Sequence, residues 1–426
     1  MDTLENPKLP HIVVLGAGFG GLTFAKRFPA RLARITVVDR QNHHLFQPLL
    51  YQVATAGLAA PDIAQPIRSI LRGKPNLAVL MAEARAVDLT ARVVTLDRGQ
   101  LTYDYLVLGI GGQTSYFGHP EWEPLARGLK SLDDALRIRR EVLLAFEHAE
   151  MEADPARRDQ LMTLVVVGGG PTGVELAGTL AELARTVLRR DFDRIDAGKA
   201  RVLLVEGGPR VLAAYPENLS ASAQRQLARL GVDVRTGTMV RAIRDGEVDL
   251  GTETVRAAVI IWAAGVAAHP LTRTLGVATD RAGRLKVAPD LSLPDHPEVF
   301  ALGDIVTLVD RKGVTVPGIA PAAMQMGAHV AKLIAREIGA PRSASPREAF
   351  AYRDKGSMAT IGRSAAVAWL GRLQFGGWPA WAAWLGVHLV FLIGFRNKLS
   401  VFLQWVYSYW TYRRGARIIT GRGETP

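Results

Sequence analysis

Cysteine is missing from all 426 residues. Its absence excludes disulfide scaffolds, Cys-ligated zinc, iron–sulfur clusters, thiol nucleophiles and dithiol redox pairs together. An apolar leader is also lacking: the opening MDTLENPKLP carries acids early and no hydrophobic segment. A secretory signal is therefore not expected, and a cytoplasmic start is. The nine histidines show no ligand spacing, and adjacent His43 and His44 would face opposite sides of a strand, so no metal is expected.

What is present describes a folded chain. Hydrophobic residues make up 48% and charged residues 22%, close to globular averages of ~45–50% and ~25%. The length suits two or three domains of ~100–200 residues each. Of the net charge of +12, +9 comes from Ala340 to Pro426, where twelve Lys/Arg face three acids. Such an excess favours an anionic partner. Nucleic acid is not expected, because the basic residues bracket apolar runs instead of lining a polar groove with exposed aromatics.

Two segments carry the same device. The apolar run His11 to Leu15 breaks into Gly16-Ala17-Gly18-Phe19-Gly20-Gly21, continues as a helix-like stretch, and is followed by a second run, Ile35 to Val38, ending in Asp39. Gly16 permits the tight turn, Gly18 lets a pyrophosphate approach the backbone, and Gly21 lets helix and strand pack closely. Asp39 is placed for an adenosine ribose. The pattern recurs as Thr163 to Val167, then Gly168, Gly170 and Gly173, one long helix to Arg190, and a strand Arg201 to Val205 ending in Glu206. With 42 glycines, chance supplies about 0.4 such glycine patterns, so one match would say little. Two, each between apolar strands ending in an acid, predict two dinucleotide sites. The usual reason for such a pair is electron transfer between a nicotinamide and a flavin.

A third apolar strand, Val299 to Leu302, ends in Gly303-Asp304. This arrangement resembles the two-dinucleotide-binding flavoprotein superfamily with a glutathione-reductase-like α/β fold. The resemblance implies that the first glycine motif holds FAD, the second NADH, and that Gly303 and Asp304 return to the flavin. It implies an FAD-binding domain in two parts, 1–120 and 276–340, an NADH-binding domain at 121–275, and a C-terminal region from 341 to 426. Lack of cysteine removes the disulfide reductases, cysteine-sulfenate peroxidases and sulfide:quinone reductases. Three stretches, NHHLFQPLLYQVATAGL (Asn42 to Leu58), APAAMQMG (Ala320 to Gly327) and YRDKGSMATIGR (Tyr352 to Arg363), are similar to the type II NADH:quinone oxidoreductases. These are single-subunit, non-pumping NADH dehydrogenases that pass electrons through FAD to a lipid quinone.

That family often has Ala-Gln-x-x-x-Gln at the flavin and quinone face. Here Pro321 replaces the first Gln and Gln325 matches the second. Pro321 suits the first turn of a helix expected over Ala322 to Ile338. By resemblance, Glu175 lies near the nicotinamide and flavin, and Gln325 and Lys355 lie toward the quinone. The plain alternatives are a first-turn acid complementing the helix dipole for Glu175 and an ion pair with Asp354 for Lys355. Glu206 would favour NADH over NADPH, whose 2′-phosphate would meet a like charge, although Arg210 is close in sequence.

The tail is apolar and aromatic. Twenty-three uncharged residues run from Leu373 to Phe395, and fourteen from Leu399 to Tyr412, followed by Arg413-Arg414. Six of the eight tryptophans fall between Trp369 and Trp410. Gly376, Gly377 and Pro379 interrupt the first run, leaving a helix shorter than the ~20 residues a bilayer span needs. In the second, Ser400, Gln404, Ser408 and Thr411 form a polar stripe opposite Phe402, Leu403, Trp405, Val406, Tyr409 and Trp410. Two amphipathic helices over about 379–412 lying in a membrane interface are expected, peripheral on the cytoplasmic face of the inner membrane. A homodimer interface is the other use of such a face, and the two can coexist. A soluble reductase of a ferredoxin-like carrier is the rival reading; it suits the basic tail but not its tryptophans.

Overall fold

The computed structural model describes residues 9–340, 346–411 and 415–419. The first eight residues and the Arg413-Arg414 pair lie outside them. The chain divides into two compact units.

The first unit comprises Met1–His44, Gln65–Gln113 and Val266–Lys355. Its sheet runs in the order Ser292–Leu293, His296–Ala301, Tyr105–Leu108, His11–Leu15, Arg34–Asp39, Leu77–Met81. All neighbours are parallel except the first pair. The strand His11–Leu15 is buried throughout, as a parallel strand covered on both faces must be. The helix Phe19–Arg27 packs against Ala320–Gly339 so closely that a side chain on Gly327 would collide with the Gly20 carbonyl.

The second unit comprises Leu45–Ala64, Thr114–Gly265 and Gly356–Pro426. Its parallel sheet has the order Arg127–Gly128, Val259–Trp262, Thr163–Val167, Arg201–Val205, Val232–Arg235. The single long helix expected after the second glycine turn is not continuous. An α-helix, Pro171–Glu182, loosens into a π-helical turn at Leu183–Val187 and a 3-10 turn at Leu188–Arg190.

An antiparallel sheet that no local pattern announces is built from Ser357–Gly362, Ala365–Leu370 and Leu373–Gly376. Its first strand lies on the helix Pro171–Glu182, where any side chain at Gly178 would strike the Ile361 carbonyl. Two helices follow, Trp378–Phe391 and Phe395–Thr411. The break between them falls at Leu392–Gly394 and not at the charged Arg396–Lys398: Leu392 leaves the helix in an extended conformation, and Gly394, at a left-handed φ of 86°, turns the chain just before the second helix. Arg396 and Lys398 instead open the second helix. Among the described residues, no helix is long and apolar enough to cross a membrane.

Candidate functional site

In each unit the parallel strands bring one set of expected residues to a common edge, because loops leaving the carboxyl ends of parallel strands emerge together. In the first unit these are Gly16 to Gly21, Asp39 and Gly303-Asp304, and the segment Gly109 to Gly112 joins them at that edge. The Asp39 carboxylate accepts the Ala17 N–H at 2.6 Å and the Gln41 N–H at 2.8 Å, tying the glycine turn to the end of the second strand. Burial pushes its pKa up, partly offset by those two bonds. Asp304 is half-buried; a methyl group on Gly318 would stand 3.5 Å from its Oδ1.

The glycines divide by what requires them. Gly16 has φ 93°, and a side chain there would strike the Gly109 carbonyl; one at Gly21 would strike the Gly16 carbonyl. At Gly18 the nearest atom to an added methyl group is 3.9 Å away. Nothing in the chain demands glycine at Gly18, so it leaves room against the backbone for a ligand. The helix it opens has no side-chain cap and no acid in its first turn, so its N–H groups are available to phosphate. These features fit the pyrophosphate and ribose of FAD.

The second unit repeats the arrangement. Gly168 has φ 110° and is hemmed by Ala263 and Ala264, Gly173 is closed off by the Gly168 carbonyl, and Gly170 faces open space. The helix Pro171–Glu182 likewise lacks a side-chain cap and a first-turn acid. Glu206 accepts the Gly169 N–H and the Gly208 N–H, both at 2.6 Å, so the extra residues Asp191 to Lys199 in the crossover before its strand do not carry it away from its turn. Arg210 turns its guanidinium to the Ala213 carbonyl at 2.9 Å.

Glu175 is the fifth residue of its helix, beyond the first turn, and is buried. It is therefore not an exposed acid complementing the dipole. The Thr360 N–H approaches its Oε1 at 3.4 Å. Burial pushes its pKa from 4.5 up to about 8, with the Thr360 N–H and the Trp384 indole pulling the other way. That indole N–H is buried and makes no hydrogen bond of good geometry, so its influence is one of proximity. Tyr51 packs against Trp384 with ring centroids 6.4 Å apart, and burial together with the Glu175 charge raises its pKa well above 10. His388 stacks on Trp384 at 4.0 Å, and burial lowers its pKa to about 4. Its Nδ1 contacts the Trp384 carbonyl at 2.8 Å, so that nitrogen must carry the proton.

Gln325 and Lys355 belong to the first unit, apart from Glu175 in the second. The Gln325 amide clasps the Arg353 backbone from both sides, donating to its carbonyl at 3.0 Å and accepting its N–H at 2.9 Å. That clasp holds the segment leading to exposed Lys355. Tyr51, Gln52 and Thr360 lie inside the family-like stretches, but spacing alone gave them no role.

The tail turns Ser400 and Gln404 of its polar stripe inward, while Thr411 stays exposed. Asp62 is buried, and its carboxylate accepts Ser400 Oγ at 2.8 Å, Gln404 Nε2 at 2.9 Å and the Ala59 N–H at 2.7 Å. Trp405 joins this face, contrary to the expected pattern, and donates from Nε1 to Gln52 Oε1 at 2.9 Å. Phe395, Phe402, Leu403 and Trp410 point outward and are exposed. Between the two helices lies an apolar groove of about 660 Å³, lined by Trp381, Leu385, Leu389, Phe402, Val406 and Trp410.

Two glycine turns over two parallel sheets, each with an acid closing the turn, define a flavin-dependent pyridine-nucleotide oxidoreductase, and the model of the pyridine nucleotide-disulphide oxidoreductase family matches residues 10–327. The disulphide chemistry of that family's name has no counterpart here, since the chain has no cysteine. Within that class the chain belongs to the type II NADH:quinone oxidoreductases. It is 42% identical to the type II NADH:quinone oxidoreductase Ndh of Mycobacterium tuberculosis, with 98% of this chain and 92% of that protein aligned. It is also 42% identical to NdhA of the same organism, over 96% of this chain and 89% of that protein. In fold it matches NDH2 from Plasmodium falciparum, solved in complex with NADH, with a TM-score of 0.89 at 19% identity, covering 97% of this chain and all of that one.

Proposed function

We infer that the chain carries electrons from NADH by way of FAD to a membrane quinone, without pumping protons. The observation that carries this reading is the paired construction of the two glycine turns. Each has one glycine that the chain itself does not require, and each has an acid holding its turn. FAD, when bound, supplies the two-electron acceptance from a nicotinamide and the onward release that a quinone needs.

Gly16, Gly18, Gly21, Asp39, Gly303 and Asp304 hold FAD. Gly168, Gly170, Gly173 and Glu206 hold NADH. Glu206 meets the 2′-hydroxyl and repels a 2′-phosphate; Arg210 donates to the Ala213 carbonyl but keeps its charge, which tempers that preference. A quinone gains two electrons and two protons, whereas NADH yields two electrons and one proton, so each turnover draws a proton from solution. Glu175, whose raised pKa keeps it mostly protonated at neutral pH, is the group we assign to hold that proton. Lys355 stabilises developing negative charge on the quinone, with Gln325 fixing the segment that carries it.

The reading extends to peripheral attachment on the cytoplasmic side of the membrane, and the outward apolar face of the tail supports the attachment. The last helix turns Ser400 and Gln404 to Asp62 and buries Val401 and Trp405 beside them, yet leaves Phe395, Phe402, Leu403 and Trp410 exposed, an apolar surface suited to a lipid interface. The groove between the helices suits the isoprenoid part of a quinone. Pairing of two copies through the same face is the competing use of that surface.

The functional test is anaerobic. NADH should bleach the flavin of the purified holoprotein, and a short-chain quinone should restore its colour; a bleached protein that quinone leaves unchanged would overturn the reading. For the tail, the full chain should float with anionic vesicles. Recovery of the whole protein as a vesicle-free dimer would refute membrane attachment.

A further inference from the structure

Two exposed apolar side chains flank the second glycine turn, and neither packs into a core. Phe117 is 68% exposed and Met239 66% exposed. Phe117 holds a left-handed φ of 52°, a conformation in which a bulky residue is strained and which persists only where its surroundings fix it. Those surroundings are visible. A methyl group on Gly265 would stand 2.6 Å from Phe117 Cζ, and the ring lies 6.3 Å from that of Trp262. Trp262 Nε1 donates to the Ser115 carbonyl at 2.8 Å, fixing the loop from below. The ring is thus held over the end of the strand Val259–Trp262, next to the Ala263-Ala264 backbone that closes on Gly168.

Met239 occupies the opposite side. Its sulfur covers Gly207, where any added side chain would strike it. Its loop is tied to the Glu206 turn by the Gly237 N–H on the Gly208 carbonyl at 2.7 Å and the Thr238 N–H on the Glu206 carbonyl at 3.0 Å.

Strand order gives the two positions a direction. Glu206 ends the strand on one side of Thr163–Val167, and Gly265 follows the strand on the other side. A dinucleotide with its adenosine ribose at Glu206 and its pyrophosphate at the helix N-terminus must carry its remaining half toward Gly265. We propose that Phe117 is the apolar wall for the nicotinamide half of NADH and Met239 the wall for its adenine. This rests on the NADH-binding reading above and goes beyond it by assigning the walls of the cleft.

ADP-ribose, which lacks the nicotinamide, separates the two. Phe117→Gly removes the ring at a backbone angle that suits glycine, so the melting temperature and flavin content of the holoprotein should be kept or improved. Its affinity for NADH should fall about tenfold while its affinity for ADP-ribose is unchanged. Phe117→Leu should lie between the two. Met239→Ser should weaken both ligands alike. Equal loss of NADH and ADP-ribose in Phe117→Gly, or loss of neither, would overturn the assignment of Phe117. Unchanged ADP-ribose binding in Met239→Ser would overturn that of Met239. Failure of the unaltered protein to bind either ligand would instead defeat the functional reading on which both depend.

Discussion

Gln404 donates a hydrogen bond of 2.9 Å to the carboxylate of Asp62, which lies 342 residues earlier in the chain. Ser400, one turn before Gln404, shares the same carboxylate, and Asn397 donates to the Pro61 and Asp62 carbonyls at 3.0 and 3.1 Å. One buried acid thus decides which way the last helix faces. Asp62→Ala should strand the Ser400 and Gln404 side chains and the Ala59 N–H, loosening the tail by about 2–4 kcal/mol. Hydrogen exchange should quicken over Phe395–Thr411 and not over the strand His11–Leu15. Uniform protection in both segments would show that apolar contacts alone dock the helix.

The contrast between Gly18 and Gly21 makes a second prediction. A methyl group at Gly21 would meet the Gly16 carbonyl, whereas one at Gly18 would find its nearest neighbour at 3.9 Å. Gly21→Ala should therefore destabilise the fold by about 3 kcal/mol or more. Gly18→Ala, at an ordinary φ of −67°, should melt like the parent as apoprotein yet retain less flavin through purification. Full flavin retention in Gly18→Ala would mean that no phosphate passes close to that backbone.

The two glycine turns were legible because their requirements are local. The turn, the tight packing and the ligand's approach each forbid a Cβ at a fixed offset, and strands such as Thr163–Val167, covered on both faces, read as unbroken apolar runs. The tail was legible in composition but only partly in geometry. Its helices and polar stripe could be read from spacing, whereas the inward turn of Trp405 depends on Gln52, 353 residues away. The sheet from Ser357 to Gly376 went unseen because its first strand is fixed by Gly178 against Ile361, a tertiary contact that no local pattern announces. Glu175 was identified by resemblance, but its raised pKa comes from burial in the folded chain, which the Thr360 N–H and the Trp384 indole only partly offset.

Coenzyme choice offers a third test at Glu206. Its carboxylate already holds the Gly169 and Gly208 N–H groups, so removing it outright would disturb the turn as well as the ribose contact. Glu206→Gln keeps one acceptor oxygen and removes the charge. The preference for NADH over NADPH should narrow about tenfold, chiefly through stronger NADPH binding, as expected when a like-charge contact is relieved. Initial rates of flavin bleaching at several concentrations of each coenzyme measure it. An unchanged ratio would place the discrimination elsewhere.

Glu175 links stability to proton supply. Its pKa is raised from 4.5 to about 8 by burial, so between those values the folded chain keeps a proton that the unfolded chain has released. Stability therefore falls as pH rises through that window, by a few kcal/mol in all, and levels off once Glu175 is ionised in both states. Glu175→Gln keeps a neutral side chain of the same shape, so its melting temperature should show a weaker pH dependence between about pH 5 and 8 and exceed that of the parent at the alkaline end. Quinone turnover separates the proton-holding role from a packing role. The parent rate should decline above about pH 8 as Glu175 ionises, whereas the variant should be slower throughout and lack that limb. A variant with altered stability but the parent's turnover and pH profile would leave Glu175 as a buried acid with no part in proton supply.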